Sequence, residues 1–337
     1  MKLSCLNLIC WFFLLTVFYS CKEKEKEQAN PPNILFCISD DQTWLHAGAY
    51  GDNIVKTPVF DRIAGEGMLF NNVFTSAPAC APSRAAILTG RNFYELEEAA
   101  CHFSLFPEKF KVYTEILEEH GYASGYTGKP WGPGRWEKSG RAKNPAGNEF
   151  NKIRHETPDG ISDIDYAENF KAFYNQKGDE PFCFWYGGME AHRSFPTGKG
   201  VESGLDISKI KVPDFLPDSE KVKSDILDYY YEIEWFDTQL GKIIDFLKEK
   251  GEYENTLIVI TSDNGMPFPR AKSNLYEYGI HLPLVISWKD KIEPGTSDAL
   301  VSFADFAPTF LDFAGIEIPQ EMSGKSLLPV LTGEKTM

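Results

Sequence analysis

The chain has 337 residues, 42% hydrophobic and 14% aromatic, which is enough apolar material for one large core and argues against disorder. A formal net charge of −15 denies it the basic face that nucleic-acid binding needs, so no nucleic-acid partner is expected. A small anionic ligand stays open, because it responds to the charge of its own pocket rather than to the total.

The first segment reads as targeting, not as fold. "CWFFLLTVFY" at 10–19 is apolar but short for a bilayer span, and Ser20-Cys21 follows it. A small residue before a Cys at the end of such a run resembles a bacterial lipoprotein cleavage site. Residues 1–20 would then be removed, Cys21 would be lipidated, and "KEKEKEQANPP" (22–32) would be a solvated tether. The expectation is an exported protein, periplasmic or at the cell surface, that meets the membrane only through a lipid anchor. An ordinary signal peptide with an incidental Cys is the alternative.

From residue 33 onward, strand-like runs alternate with helical patterns. "NILFCIS" (33–39) is a continuous apolar strand, and "TPVFDRIAGEG" (57–67) a short helix ending in Gly. "VYTEILEEHG" (112–121) has helical period. "YASGYTG" (122–128) and "PFCFWYGG" (181–188) are further strands. Residues 223–251 form a long amphipathic helix stopped by Gly251. "NTLIVITS" (255–262) and "LPLVISW" (282–288) are buried strands, and "SFADFAPTFLDFAG" (302–315) a last helix. Runs buried on both faces and alternating with helices predict an α/β fold: a mostly parallel central sheet with helices on both sides. Residues 128–148 and 193–219 read as long loops over an active-site face.

Two strands end alike. One runs into Asp40-Asp41, the other into Asp263-Asn264-Gly265. Ligands of open α/β sheets bind outside the carboxyl ends of strands, so these four side chains should converge. Three carboxylates held together repel unless a cation lies among them, and oxygen ligands select a hard ion such as Ca²⁺ or Mg²⁺. Helix capping or Asx-turns are the plainer use of such residues. Cys37 and Cys183 lie in apolar runs and read as core, whereas Cys80 and Cys101 could pair in an oxidising compartment. "SAPACAPSRAAILTGR" (76–91) holds Cys80 at a helix start beside Arg84, which is either a packed thiol or a reactive position.

"CAPSRAAILTGR" resembles the signature of type I sulfatases, members of the alkaline-phosphatase-like superfamily. The order of Asp-Asp, this signature, "TGK", "AH", "SDNG" and "LYEYGIHLPLVIS" is also similar to that family, from Asn33 to Gly333. The resemblance implies that Cys80 is oxidised before folding to formylglycine, by a formylglycine-generating or other sulfatase-maturating enzyme, and that its hydrate is the nucleophile. It implies one Ca²⁺ held by Asp40, Asp41, Asp263, Asn264 and the modified Cys80. Arg84, Lys129 and Lys272 would hold the sulfate, and His192 would protonate the leaving group. The implied substrate is a sulfated carbohydrate. "SDNGMPFPRAKSNLY" is most similar to sulfamidases, which act on N-sulfate.

Three features depart from the pattern. Glu97 and Glu98 stand where relatives carry a His, with His102 later; His281 stands where an Arg is common; and the usual small C-terminal subdomain is expected to be missing after residue 337. A phosphonate monoester or phosphodiester hydrolase, and an inactive glycan-binding lipoprotein, are the alternative functions.

Overall fold

A computed structural model describes residues 31–334. The expected signal segment, Cys21 and the charged part of the tether lie outside the described residues. Among the described residues no helix is long and apolar enough to cross a membrane.

Eight strands form one sheet: β1 (Asn33–Ser39), β2 (Met68–Phe74), β3 (Ala123–Gly128), β4 (Asn148–Glu149), β5 (Phe182–Gly187), β6 (Thr256–Ser262), β7 (Leu284–Ser287) and β8 (Gly295–Ser302). Their order is β4-β3-β5-β1-β6-β7-β2-β8. β1 pairs in parallel with β5 and β6, and β7 runs antiparallel to β6 and β2. The longer helices are α1 (Pro58–Glu66), α2 (Cys80–Thr89), α3 (Tyr113–Glu119), α4 (Tyr166–Gln176), α5 (Glu220–Lys250) and α6 (Phe306–Phe313).

Alternation along β1 shows why the sheet needs cover on both faces. Ile34, Phe36 and Ile38 join a core with residues of α2, α3 and α6, while Leu35 and Cys37 join another with residues of α1, α4 and α5. All seven β1 residues are buried. α5 starts at the Ser219 cap, whose hydroxyl accepts from the Val222 N–H, and ends at Gly251 with φ +70°.

The strands expected from apolar runs are all present. β2, β4 and β8 were not foreseen. β2 carries Asn71 and Asn72 in its middle, and β8 is a mostly exposed edge strand, so neither has a continuous apolar run. Residues 129–147 and 193–219 are largely irregular, with short helical turns at Trp136–Ser139, Lys199–Glu202 and Ile207–Lys209.

Candidate active site

The parallel pairing of β1 and β6 sets Ser39 opposite Ser262. The next residues of both strands therefore emerge side by side, which brings Asp40 and Asp41 against Asp263 and Asn264. The Asp41 N–H donates to Asp263 Oδ1 at 3.1 Å, and Asn264 Nδ2 donates to Asp41 Oδ1 at 2.7 Å. Asp41 has φ +67°, a backbone region that Asp tolerates better than most residues. All four side chains belong to fully buried residues.

Helix α2 delivers Cys80 as its first residue. Ser83, one turn in, donates to the Asp263 carbonyl and accepts from Thr75 Oγ1 at 3.0 Å, so it ties the helix start to the end of β6. Cys80 Sγ then lies 3.5 Å from Asp40 Oδ1 and 3.9 Å from Asp41 Oδ1. Burial first, then the charges of Asp40 and Asp263, push the thiol well above its ordinary pKa. A thiolate is thus disfavoured here, and the thiol is a poor nucleophile in its own right. Cys80 and Cys101 are both free, one buried and one exposed, so no disulfide joins them; Cys37 and Cys183 are buried.

Three cations face the three carboxylates. Arg84, fully buried, donates from Nε to Asp263 Oδ2 at 2.8 Å and from Nη1 to the Lys129 and Pro130 carbonyls at 2.6 and 3.1 Å. Its Nη2 has no hydrogen-bond partner among the described residues. Lys129 pairs with Asp40 Oδ2, and Lys272 Nζ lies 2.6 Å from Asp41 Oδ1 and 3.4 Å from Cys80 Sγ. Burial alone would raise Asp40, yet Lys129 and Arg84 outweigh it and hold this carboxyl well below its usual range. Asp41 goes the other way, to about 7, because burial and the neighbouring Asp40 charge exceed the help from Lys272. Burial opposes the charge on Lys129 and Lys272, but Asp40 and Asp41 respectively overcome it and raise both.

His192 reaches the cluster from the loop after β5. Its Nε2 is 4.0 Å from Asp41 Oδ2, and its Nδ1 is 2.5 Å from the Arg193 carbonyl. That carbonyl can only accept, so Nδ1 carries the proton and Nε2 is the atom that gains or loses one at the site. Burial lowers the His192 pKa, Asp40 works against that, and Lys129 and Lys272 add to it.

The other flagged positions separate. His102 is near enough for Lys272 and Lys129 to depress its pKa, after burial. Glu97 is exposed and pairs with Lys109 at 2.6 Å, and Glu98 is also exposed. His281 stacks on Trp44 at 4.1 Å and bridges Glu277 to the Asn71 carbonyl, which is a packing role. Sequence reasoning missed Glu190, whose backbone carbonyl accepts from the Asp40 N–H at 2.8 Å, and Glu232, discussed below. Glu190 stands two residues before His192, just past the β5 run, but a backbone carbonyl's role has no sequence signal; Glu232 lies mid-helix and follows no apolar run or motif.

The residues present fit a hard divalent cation. Oxygens of Asp40, Asp41 and Asp263 and the Cys80 sulfur lie within 4.8 Å of one another. The buried Asn264 Oδ1 has no hydrogen-bond partner among the described residues, and a cation is a natural partner for such an oxygen. Without an ion, three carboxylates balance three cations. A divalent ion would leave the cluster positive, as an anionic ligand requires.

Comparisons with known proteins agree with this geometry. The sulfatase family model matches residues 32–316. Human N-sulphoglucosamine sulphohydrolase is 29% identical, over 91% of this chain and 67% of its own length. An ulvan-active sulfatase of Formosa agariphila is 30% identical, over 94% of this chain and 60% of its own. The chain therefore spans about two thirds or less of these relatives. In fold, the phosphonate monoester hydrolase of Silicibacter pomeroyi superposes with a TM-score of 0.74 at 20% identity, over 90% of this chain and 77% of that one. With a family model covering most of its length and a β1–β6 site of this composition, the chain belongs to the sulfatase family.

Proposed function

We propose that this protein hydrolyses sulfate esters or N-sulfate groups of a sulfated glycan, after maturation of Cys80. The observation that carries the reading is the meeting of Asp40, Asp41, Asp263 and Asn264 around the first residue of α2, with Arg84, Lys129 and Lys272 on the same cluster. The relatives' activities on sulfated glucosamine and on ulvan support the substrate class.

Ca²⁺, held by Asp40, Asp41, Asp263, Asn264 and residue 80, would neutralise the carboxylates and polarise the sulfate oxygens. The formylglycine made from Cys80 by a maturating enzyme would supply, as its hydrate, the oxygen nucleophile that a buried thiol cannot. The chain's own residues do the rest. Arg84 is locked by Asp263 and two carbonyls, so its Nη2 stays fixed 3.7 Å from Asp40 Oδ1. Lys129 and Lys272 are drawn to Asp40 and Asp41 without the ion, and are free to grip sulfate oxygens once those carboxylates have another partner. His192 Nε2 faces the cluster and donates its proton to the departing oxygen or nitrogen. Substrate anion near that ring would offset the depressing effect of the lysines on its pKa. Export and lipid anchoring through Cys21 complete the proposal, with the maturating enzyme as the second partner.

The test is peptide mass spectrometry of residue 80 in protein made with a maturating enzyme, together with turnover of defined sulfated disaccharides. Conversion of Cys80 with sulfate release is expected. An active preparation whose residue 80 is all thiol would overturn the nucleophile. Faster turnover of phosphonate esters than of any sulfate would overturn the substrate class.

A further inference from the structure

Among the described buried acids outside the catalytic cluster, Glu232 alone keeps a carboxyl oxygen without a hydrogen-bond partner. Glu232 on α5 is 1% exposed, and its Oε1 has no hydrogen-bond partner among the described residues. Native structures rarely leave a buried polar atom unsatisfied. Glu232 lines a cavity of about 520 Å³, whose other walls are residues 160–164, Met189, Glu190 and residues 192–194, with Arg154. This volume falls within the roughly 300–1,000 Å³ of small-molecule sites. His192 lines the same cavity, which therefore adjoins the cluster where sulfate is expected.

The charges in the cavity wall are already engaged. Arg193 makes a two-pronged pair with Asp225 at 2.6 and 2.9 Å, and Arg154 pairs with Asp163. Glu190 accepts from the Tyr166 hydroxyl at 2.8 Å and the Ser162 N–H at 3.1 Å. Neither arginine is left free for a second sulfate, and Glu190 would repel one. Burial, then Glu190 and Asp228, raise the Glu232 carboxyl to about 9. A neutral carboxyl both donates and accepts a hydrogen bond, as a sugar hydroxyl does.

We infer that this cavity is a subsite for an uncharged, hydroxyl-bearing sugar ring beside the sulfated one, and that Glu232 selects it by hydrogen-bonding a ring hydroxyl. The inference rests on the sulfated-glycan reading above, but it concerns a different surface. A site built to pair a hydroxyl discriminates strongly against ligands that leave its polar group unmatched. An unsulfated neighbouring sugar is therefore accepted, and a sulfated one is excluded.

The test is calorimetric titration of the full chain with three neutral disaccharides: cellobiose, lactose and N,N′-diacetylchitobiose. At least one should bind, and Glu232→Leu should weaken it about tenfold, the scale of one well-placed hydrogen bond. Met189→Trp, which adds bulk to another lining residue of the cavity, should abolish binding and decides the matter if the Leu variant does not fold. In matured protein, both changes should lower the ratio of kcat/KM for a sulfated disaccharide to that for nitrophenyl sulfate. Binding of none of the three sugars, or unchanged binding in both variants, overturns the subsite. Binding needs no turnover. Glu232-dependent binding by a matured protein that cleaves no sulfate would sink the proposed function and leave the subsite standing.

Discussion

His192 and Lys129 both reach the carboxylate cluster, but they meet charge at different moments. Sulfate is anionic before, during and after bond cleavage, so a lysine beside it stabilises the ground state and the transition state alike. The leaving oxygen gains charge only as the S–O bond breaks, and a proton donated there acts on the transition state. His192→Ala is therefore expected to lower kcat on a sugar sulfate by about 10²–10⁴, and far less on nitrophenyl sulfate, whose leaving group needs little protonation. Lys129→Ala should reduce both to similar degrees. Equal losses for His192→Ala on the two substrates would remove it as the acid. At this scale much of the candidate site was legible. Asp40, Asp41, Asp263 and Asn264 follow apolar runs directly, so their place at strand ends could be read from the pattern. Cys80 and Arg84 stood out at a helix start, where a packed thiol and a reactive one read alike, and Lys129, Lys272 and His192 were found only through resemblance, since a lone Lys or His has no periodic context. Glu232 escaped both routes. It lies on a helix among Tyr229, Ile233 and Phe236, and only the packing of residues 160–164, Met189, Glu190 and residues 192–194 shows which side of that helix encloses a cavity.

At the scale of elements, the end of β3 shows how "TGK" serves the site. Gly128 has φ +75°, and a Cβ there would stand 1.8 Å from the Gly187 carbonyl oxygen at the end of β5. No side chain fits, and the close approach aims Lys129 at Asp40. Gly128→Ala should displace Lys129, cost activity on every substrate, and lower the denaturation midpoint; unchanged activity would contradict this account. Helix α5 offers a second expectation. Glu232 has an ordinary pKa of 4.5 and is raised to about 9 in the folded chain. Folding thus favours its protonated form. The resulting stability is fully present below about pH 4.5 and is lost as pH rises through about 9. Glu232→Gln, which cannot ionise, should become progressively more stable than wild type between pH 5 and 9 in thermal melts. A constant difference across that range would mean that Glu232 is ionised in the fold. The elements that sequence patterns missed share one cause. β2, β4 and β8 lie toward the sheet's edges, where polar side chains replace the apolar run that marks a central strand.

For the whole molecule, the alternation of apolar strands and helices was enough to foresee a mostly parallel sheet covered on both faces. It could not foresee the strand order or the reversed β7, which depend on long-range pairing. The central expectation at this scale is that ion binding and folding are linked. Ca²⁺ at about 100 times its Kd adds about 2.7 kcal/mol to a fold that alone binds it. The melting temperature should rise by several degrees on adding Ca²⁺ to chelator-treated protein, and Asp263→Asn or Asn264→Ala should erase the rise. No shift in the wild type would remove the ion from this site. Burial of Cys80, only 2% exposed, has a further consequence that concerns time rather than geometry. Once the chain has folded, no enzyme can reach that sulfur, so its fate is decided in the interval between synthesis and closure. Under the proposed maturation, every preparation would then be a frozen record of a race, with converted and unconverted molecules in a ratio that no later incubation could change. Iodoacetamide should label the exposed Cys101 of native protein within minutes and leave Cys80 untouched until the chain is unfolded. Rapid alkylation of native Cys80 would show that the door stays open.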